Sequence, residues 1–143
     1  MSGVRNAGTD FLYVPGSDRE AMARLGLGGI AVAAGRGFFG SMAINLTTLT
    51  RLEDADTIAA ETRICLDEVV HRLGVIGGSK ADVVRVIAYA DDKAYIPEMW
   101  AAYDEFFADM PEKPKRTTLV AGIAVDCRLE FEVMVAHREE AAA

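Results

Sequence analysis

Residues 82–90 read DVVRVIAYA, and both alternating faces of this run are dominated by β-branched and apolar residues. Such a run is typical of an interior strand, because a strand at a protein surface alternates apolar and polar residues. Segments with helical spacing lie before it and after it. A chain with this order packs helices against a sheet that contains this strand, which predicts an α+β fold.

Two amphipathic helices are predicted. The first follows Asp54 and Asp56, which can cap its N-terminus, and it ends at Gly74. Its apolar face recurs at spacings of three and four, with Ile58, Thr62, Cys65, Leu66, Val69 and Leu73. Its solvent-exposed side is predicted to carry Glu61, Arg63, Asp67 and Arg72. The second helix covers residues 95–107, with Pro97 in the first turn, where a missing N–H has no cost.

The remaining strands are predicted in pairs. Residues 30–34 and 38–46 flank a Gly-rich turn and should form one hairpin. Residues 116–124 and 128–137 should form a second hairpin at the end of the chain. We therefore expect an irregular N-terminal arm with one helical turn (1–29), an α+β domain (30–138) and a disordered tail (139–143). The domain is a single mixed β-sheet with two helices on one face.

The second face of this sheet needs a cover of its own. Beyond Arg116, residues 117–124 divide into two alternating sets, one for each face of the strand, and neither set contains a charged residue. Two helices bury only one face of a sheet, so the other face is expected to meet another subunit. Self-association is therefore predicted on physical grounds.

Charge and cysteine usage exclude several classes of function. The chain has 15 basic and 22 acidic residues, a net charge of −7, which argues against a nucleic-acid-binding surface. No run has the length of a membrane span, and the first ten residues do not resemble a signal segment. The two cysteines lack a CxxC spacing and neither histidine has a partner at ligand spacing, so no metal site is predicted. A cytoplasmic protein is expected.

Arg116 and Glu130 are the candidate catalytic residues. In the predicted final hairpin they lie near the start of adjacent strands, on the face assigned to subunit contact. An arginine there could bind a carboxylate with two parallel hydrogen bonds, and a glutamate could orient or deprotonate a water. The alternative interpretation is ordinary solvated surface, which is the more common role of such charges.

Several segments resemble one known family in their order and spacing. They read AVAAGRGFFGSM in the first hairpin, DVVRVIAYADD in the central strand, and PKRTTLVAGI and LEFEVMVAH at the end. The helices match as well, through Thr62, Leu66, Val69 and Leu73 in the first and Tyr103, Phe106 and Phe107 in the second. From about residue 31 to residue 137 the chain resembles the RidA/YjgF family.

This resemblance implies a chorismate-mutase-like homotrimer with three clefts at the subunit boundaries. It implies that Arg116 binds the substrate carboxylate and that Glu130 positions a hydrolytic water. Thr118, Ser41, Met42 and Trp100 would complete the substrate-binding residues. The implied reaction is cofactor-free hydrolysis of a carboxylate-bearing imine or enamine, a 2-imino acid or an aminomuconate-type substrate, with release of ammonia. The alternative is a non-catalytic module that binds small carboxylates in the same cleft.

The sequence departs from the family pattern around this pocket. Gly28 and Gly29 occupy the region of a family tyrosine, Met42 follows Ser41 where the family has glycine, and Trp100 stands where the family has asparagine. The pocket is therefore predicted to be more apolar than usual. Trp100 has two open interpretations, a cleft wall or a core residue, since Ile96, Trp100, Tyr103 and Phe107 share helical spacing.

Overall fold

The computed structural model describes residues 3–137. Three α-helices are present in this part of the chain: α1 (Arg19–Leu25), α2 (Ile58–Leu73) and α3 (Ile96–Phe106). The described strands are β1 (Gly3–Asn6), β2 (Thr9–Leu12), β3 (Ile30–Ala33), β4 (Arg36–Ser41), β5 (Ile44–Asn45), β6 (Thr50–Arg51), β7 (Val83–Ala90), β8 (Lys115–Val120) and β9 (Leu129–Ala136). The tail predicted at 139–143 lies outside the described residues.

Seven of these strands form one mixed sheet in the order β1-β2-β3-β4-β9-β7-β8. β7 and β8 run parallel, and the other neighbouring pairs are antiparallel. Helices α2 and α3 pack on one face, where the core contains the buried apolar residues of β7 and β9 together with Leu66, Val69 and Tyr103. The predicted fold class, one mixed sheet with two helices on one face, is confirmed.

The predicted hairpin of the last two strands is wrong. β7 lies between them, paired parallel with β8 and antiparallel with β9. The crossover through α3 places β8 beside β7 in the same direction, and β9 then enters the gap between β4 and β7. Strand patterns in the sequence do not show this insertion, because alternation identifies a strand without identifying its neighbours.

Residues 3–29 are more regular than the predicted arm. β1 and β2 form a hairpin through Ala7 and Gly8, whose φ values of 42° and 90° are the positive angles that a tight two-residue hairpin turn requires. The helical turn expected here is α1, whose N-terminus is capped by Asp18, and Gly26 ends it in the left-handed conformation. The hairpin extends the sheet beyond β3.

Helix α2 has the predicted bounds but a different set of buried residues. Its cap is Thr57, whose hydroxyl accepts from Ala60 N at 3.0 Å, rather than Asp54 or Asp56. Glu61 and Arg72 were expected on the solvent-exposed side, and both are buried. Each has a polar partner on the sheet side, so polarity alone did not indicate which way these side chains point. Among residues 3–137, no helix is long and apolar enough to cross a membrane.

Candidate functional site

Arg116 lies on β8, the edge strand of the sheet, with its side chain toward α3. It pairs with Val86, whose side chain is buried in the core beneath the helices. Its guanidinium carbon lies 4.8 Å from the ring centroid of Trp100 and 4.7 Å from that of Tyr103. Trp100 is held in turn, because its Nε1 donates to Thr118 Oγ1 at 2.9 Å. The two aromatic rings therefore fix the guanidinium by cation–π contact.

This arginine cluster (Trp100, Tyr103, Arg116 and Thr118) has unused hydrogen-bonding groups. Arg116 Nη1 and the Tyr103 hydroxyl are buried without a hydrogen-bond partner in the described part of the chain. Asp104 Oδ1 lies 3.6 Å from Nη1, which is close enough for an ion pair but too far for a hydrogen bond. Burial raises the pKa of Tyr103 to about 12, so the hydroxyl stays protonated and can donate. Buried donors without acceptors are rare, and an anionic ligand would satisfy them.

Glu130 lies on β9 and points to the face of the sheet that α2 and α3 leave open. Its strand partner on β7 is Tyr89, and the next carboxylate on this face, Glu132, accepts from the Tyr89 hydroxyl at 2.5 Å. Burial, and then the negative charge of Glu132, raise the pKa of Glu130 above that of an ordinary glutamate. A carboxylate whose pKa lies closer to neutral pH is a stronger base and therefore a better proton acceptor.

A cavity of about 1260 Å³ adjoins Glu130. Met42 lines it beside Gly40, and Ile44, Leu46 and Leu52 make much of its wall apolar. Ser41 does not line this cavity. Its side chain faces the core, where its hydroxyl donates to the Cys65 carbonyl at 2.8 Å. Of the predicted pocket residues on β4, the structure thus places Met42 at the cavity and Ser41 behind it.

Arg116 and Glu130 do not converge within one protomer, so the predicted placement on adjacent strands of one face is wrong. Arg116 shares a row of the sheet with Val86 and Val133 on the helix side, whereas Glu130 belongs to a row on the open side. Two strand spacings and three residues of rise separate them, which corresponds to about 14 Å between their Cα atoms. Within one protomer the two residues therefore do not contribute to a common site.

Comparison with known proteins identifies the family. The sequence profile described as endoribonuclease L-PSP matches residues 30–137, more than half of the chain. The chain belongs to the endoribonuclease L-PSP family, which is the RidA/YjgF family. The resemblance seen in the sequence motifs is confirmed. No curated protein sequence matches this L-PSP family chain.

Solved structures of other proteins share the fold. Protein YJGH is 16% identical with a TM-score of 0.75, and the alignment covers 90% of this chain and 97% of that chain. A member of the YjgF protein family from Neisseria meningitidis is 22% identical with a TM-score of 0.69, covering 92% and 98%. YyfA of the Rid protein family from Yersinia pestis is 20% identical with a TM-score of 0.66, covering 75% and 84%. Identities this low show the fold alone.

The departures of this chain from the L-PSP pattern have a structural basis near β3. Gly28 and Gly29 have φ values of 70° and 66°, which disfavour other residues. A Cβ on Gly28 would lie 2.6 Å from Met22 Sδ, and one on Gly29 would lie 2.7 Å from the Leu12 carbonyl oxygen. A tyrosine is therefore excluded here. Trp100, which stands where the family has asparagine, lies on α3 beside the edge strand β8. It is 40% exposed, which decides against a core position.

Other functional chemistry is weakly supported in this L-PSP family chain. Cys65 and Cys127 are buried, and burial raises the pKa of both thiols, that of Cys127 to about 12, so neither is a nucleophile at neutral pH. Within residues 3–137, no group of three or more His, Cys, Asp or Glu side chains could hold a metal.

Two features of the site escaped the sequence reasoning. The Tyr103 hydroxyl belongs to the arginine cluster, although its helical spacing indicated only core. Glu61 accepts from Arg128, 67 residues away in sequence, just before Glu130. A signal for Glu61 was present, since it precedes Cys65 and Val69 by four and eight residues on the apolar face.

Proposed function

We propose that this chain is a cofactor-free deaminase that adds water to a carboxylate-bearing imine or enamine, in clefts between the subunits of a homotrimer. The observation that carries the proposal is the Arg116 guanidinium, held between two aromatic rings with a buried N–H that no described residue accepts. Arginine in this state is suited to a planar carboxylate.

The cleft requires Arg116 of one subunit and Glu130 of the next, because the two lie on opposite faces of one protomer. Exposed apolar residues support association at both halves. Val120 is exposed on β8 on the side of the arginine cluster, whereas Leu119 on β8 and Phe38 on β4 are exposed on the open face with Glu130. The cavity beside Glu130 exceeds the ~300–1000 Å³ of an ordinary small-molecule site, so it leaves space for a neighbouring subunit as well as a substrate.

In the proposed reaction the substrate carboxylate binds Arg116 and water adds to the C=N carbon. Glu130 accepts one proton from that water and delivers it to the imine nitrogen, and it then carries the hydroxyl proton of the adduct to the same nitrogen. The C–N bond of the resulting tetrahedral carbinolamine then breaks, which releases ammonia and leaves a 2-oxo acid. The raised pKa of Glu130 favours this exchange of protons near neutral pH. The apolar wall at Met42 and the exposed ring of Trp100 favour longer unsaturated substrates, of aminomuconate type, over small imino acids.

The test is ammonia release from imino acids that an amino-acid oxidase generates in the assay. Arg116→Ala should lower the release by at least tenfold at substrate concentrations near the wild-type KM, because the carboxylate is no longer held. Arg63→Ala is the matched control, since Arg63 is an exposed arginine paired with Glu105 on α3 and should keep full activity. Full turnover by Arg116→Ala would refute the proposal.

The trimer has its own test at Leu119. Leu119→Asp places a charge on an exposed apolar edge residue and leaves Arg116 and Glu130 unchanged. We expect smaller particles in light scattering and loss of ammonia release together, because each cleft needs two subunits. An active monomer would exclude the shared cleft.

A second candidate is a non-catalytic carboxylate-binding module. The arginine cluster is complete within one protomer, whereas Glu130 is not close to it. One protomer therefore has the group that binds a carboxylate without the proposed proton acceptor, which favours this candidate. Thermal stabilisation by 2-oxo acids without ammonia release would favour this candidate. An endoribonuclease role, which the family description names, is disfavoured by the net charge of −7.

A further inference from the structure

The start of β9, just before Glu130, is tied to the helix layer. Arg128 Nε donates to Glu61 Oε2 at 2.7 Å, and Arg128 Nη2 donates to the Ala55 carbonyl at 2.8 Å. The backbone is held too, since Arg128 N donates to Glu61 Oε1 at 2.8 Å and the Arg128 carbonyl accepts from Asp91 N at 2.9 Å. Both the side chain and the backbone of Arg128 are therefore fixed.

Glu61 is an unusual acceptor because it is fully buried. Its Oε1 also receives Leu129 N at 3.3 Å, so both of its oxygens serve the start of β9. An ionised carboxylate accepts at both oxygens and donates at neither, which matches these donors. A buried ion pair is often no more stabilising than an apolar pair of the same volume, so stability alone does not account for it.

Strand alternation gives Arg128 a competing position. Side chains two residues apart on a strand point to the same face, so a regular continuation of β9 would place Arg128 beside Glu130 on the open face. There the guanidinium would meet the carboxylates of Glu130 and Glu132. The contacts with Glu61 and Ala55 hold it instead on the helix side of the sheet.

We propose that Glu61 is a positioning residue for Glu130: it fixes the backbone of Arg128 and Leu129 and keeps the Arg128 guanidinium away from the Glu130 carboxylate. Glu130 then remains without a cationic partner among the described residues and is available as a proton acceptor. The role of Glu130 in turnover rests on the proposed function, whereas its electrostatic state can be measured without a substrate.

The groups that face Glu130 define the expected result. They are Glu132 on the same strand, Tyr89 on β7 and Cys127 in the preceding loop, while β4 contributes only Gly40 there. None of them is a cation, and two arginines on the wall of the adjoining cavity are bonded elsewhere: Arg72 donates to Glu68 and to the Gly40 carbonyl, and Arg85 donates to Thr117. If Arg128 lost its contacts with Glu61, it would add a positive charge to this set. An adjacent cation stabilises the ionised carboxylate and so lowers the pKa of Glu130.

The experiment is an NMR titration of the Glu130 side-chain carboxyl carbon in the full chain. In Glu61→Gln the titration midpoint should move to lower pH than in the wild type, by about one pH unit or more if the guanidinium comes within hydrogen-bonding reach. In the double variant Glu61→Gln with Arg128→Gln, the midpoint should return to the wild-type value because the cation is gone. Glu105→Gln, which removes a carboxylate from an exposed ion pair on α3, is the matched control and should change nothing.

Identical midpoints in all four proteins would overturn the inference, as would a shift that persists in the double variant. If Glu61→Gln does not fold, hydrogen exchange of the wild type decides. The amides of Arg128 and Leu129 should exchange as slowly as those in the middle of β9, and exchange as fast as that of residues 121–126 would contradict the proposed fixation. If the Glu130 midpoint shifts as expected but the protein releases no ammonia, the deaminase proposal is refuted and the positioning role of Glu61 stands.

Discussion

Arg116→Lys separates the shape of the guanidinium from its charge. Lysine keeps the positive charge but cannot form two parallel hydrogen bonds with a carboxylate, and its ammonium does not stack between Trp100 and Tyr103 as a planar group does. The loss of one charge-assisted hydrogen bond weakens binding by about 1.5–3 kcal/mol. At 1.4 kcal/mol per tenfold change, the dissociation constant of a bound carboxylate should rise about 10- to 140-fold.

The assay is calorimetric titration with 2-oxo acids of increasing chain length, together with steady-state kinetics. An arginine that only holds the carboxylate binds the ground state and the transition state equally, so KM should rise while kcat changes little. Arg63→Lys serves as the control, because Arg63 lies in an exposed ion pair with Glu105. Unchanged affinity in Arg116→Lys, or a fall in kcat at constant KM, would contradict the assigned role.

Three further predictions concern the surroundings of Arg116 and Glu130. Trp100→Phe and Thr118→Val each remove the same hydrogen bond, so each should cost about 1 kcal/mol in denaturant unfolding, and the double variant should cost little more than either. Glu132→Gln should move the NMR titration of Glu130 to lower pH, because the charge of Glu132 contributes to the raised pKa; an unchanged midpoint would exclude that contribution. Phe131→Ala removes a fully buried ring from β9 and should cost about 3–5 kcal/mol of unfolding free energy, and a much smaller cost would contradict the core position.

The elements of this fold that could be predicted from the sequence are those whose signal is local. The spacing of Ile58, Cys65 and Leu73 gave the bounds of α2, and the apolar run at 82–90 gave β7 as an interior strand. The motif order also singled out Arg116 and Glu130, whose roles in a site stay predictions. These patterns depend on residues a few positions apart, and the periods of helix and strand translate them directly into structure.

The failures concern contacts between distant residues. The pairing of β8 with β7 is set by the crossover through α3, which no alternation pattern within β8 records. Glu61 was assigned to the solvent-exposed side because it is charged, although its partner Arg128 neutralises it from 67 residues further along the chain. Burial of a charge depends on such a partner, and a single sequence does not show which residues meet.

The insertion of β9 between β4 and β7 explains why the proposed site needs residues from two subunits. It moves Glu130 to the centre of the sheet, where α2 fixes the start of its strand, and leaves Arg116 on the edge strand β8. A central strand provides a rigid and partly buried carboxylate, whereas an edge strand provides a group that another subunit can reach. An edge strand with exposed apolar residues is also unfavourable in isolation, since it invites association with another chain. The same topology that separates Arg116 from Glu130 in one protomer therefore favours the contact that would reunite them across two.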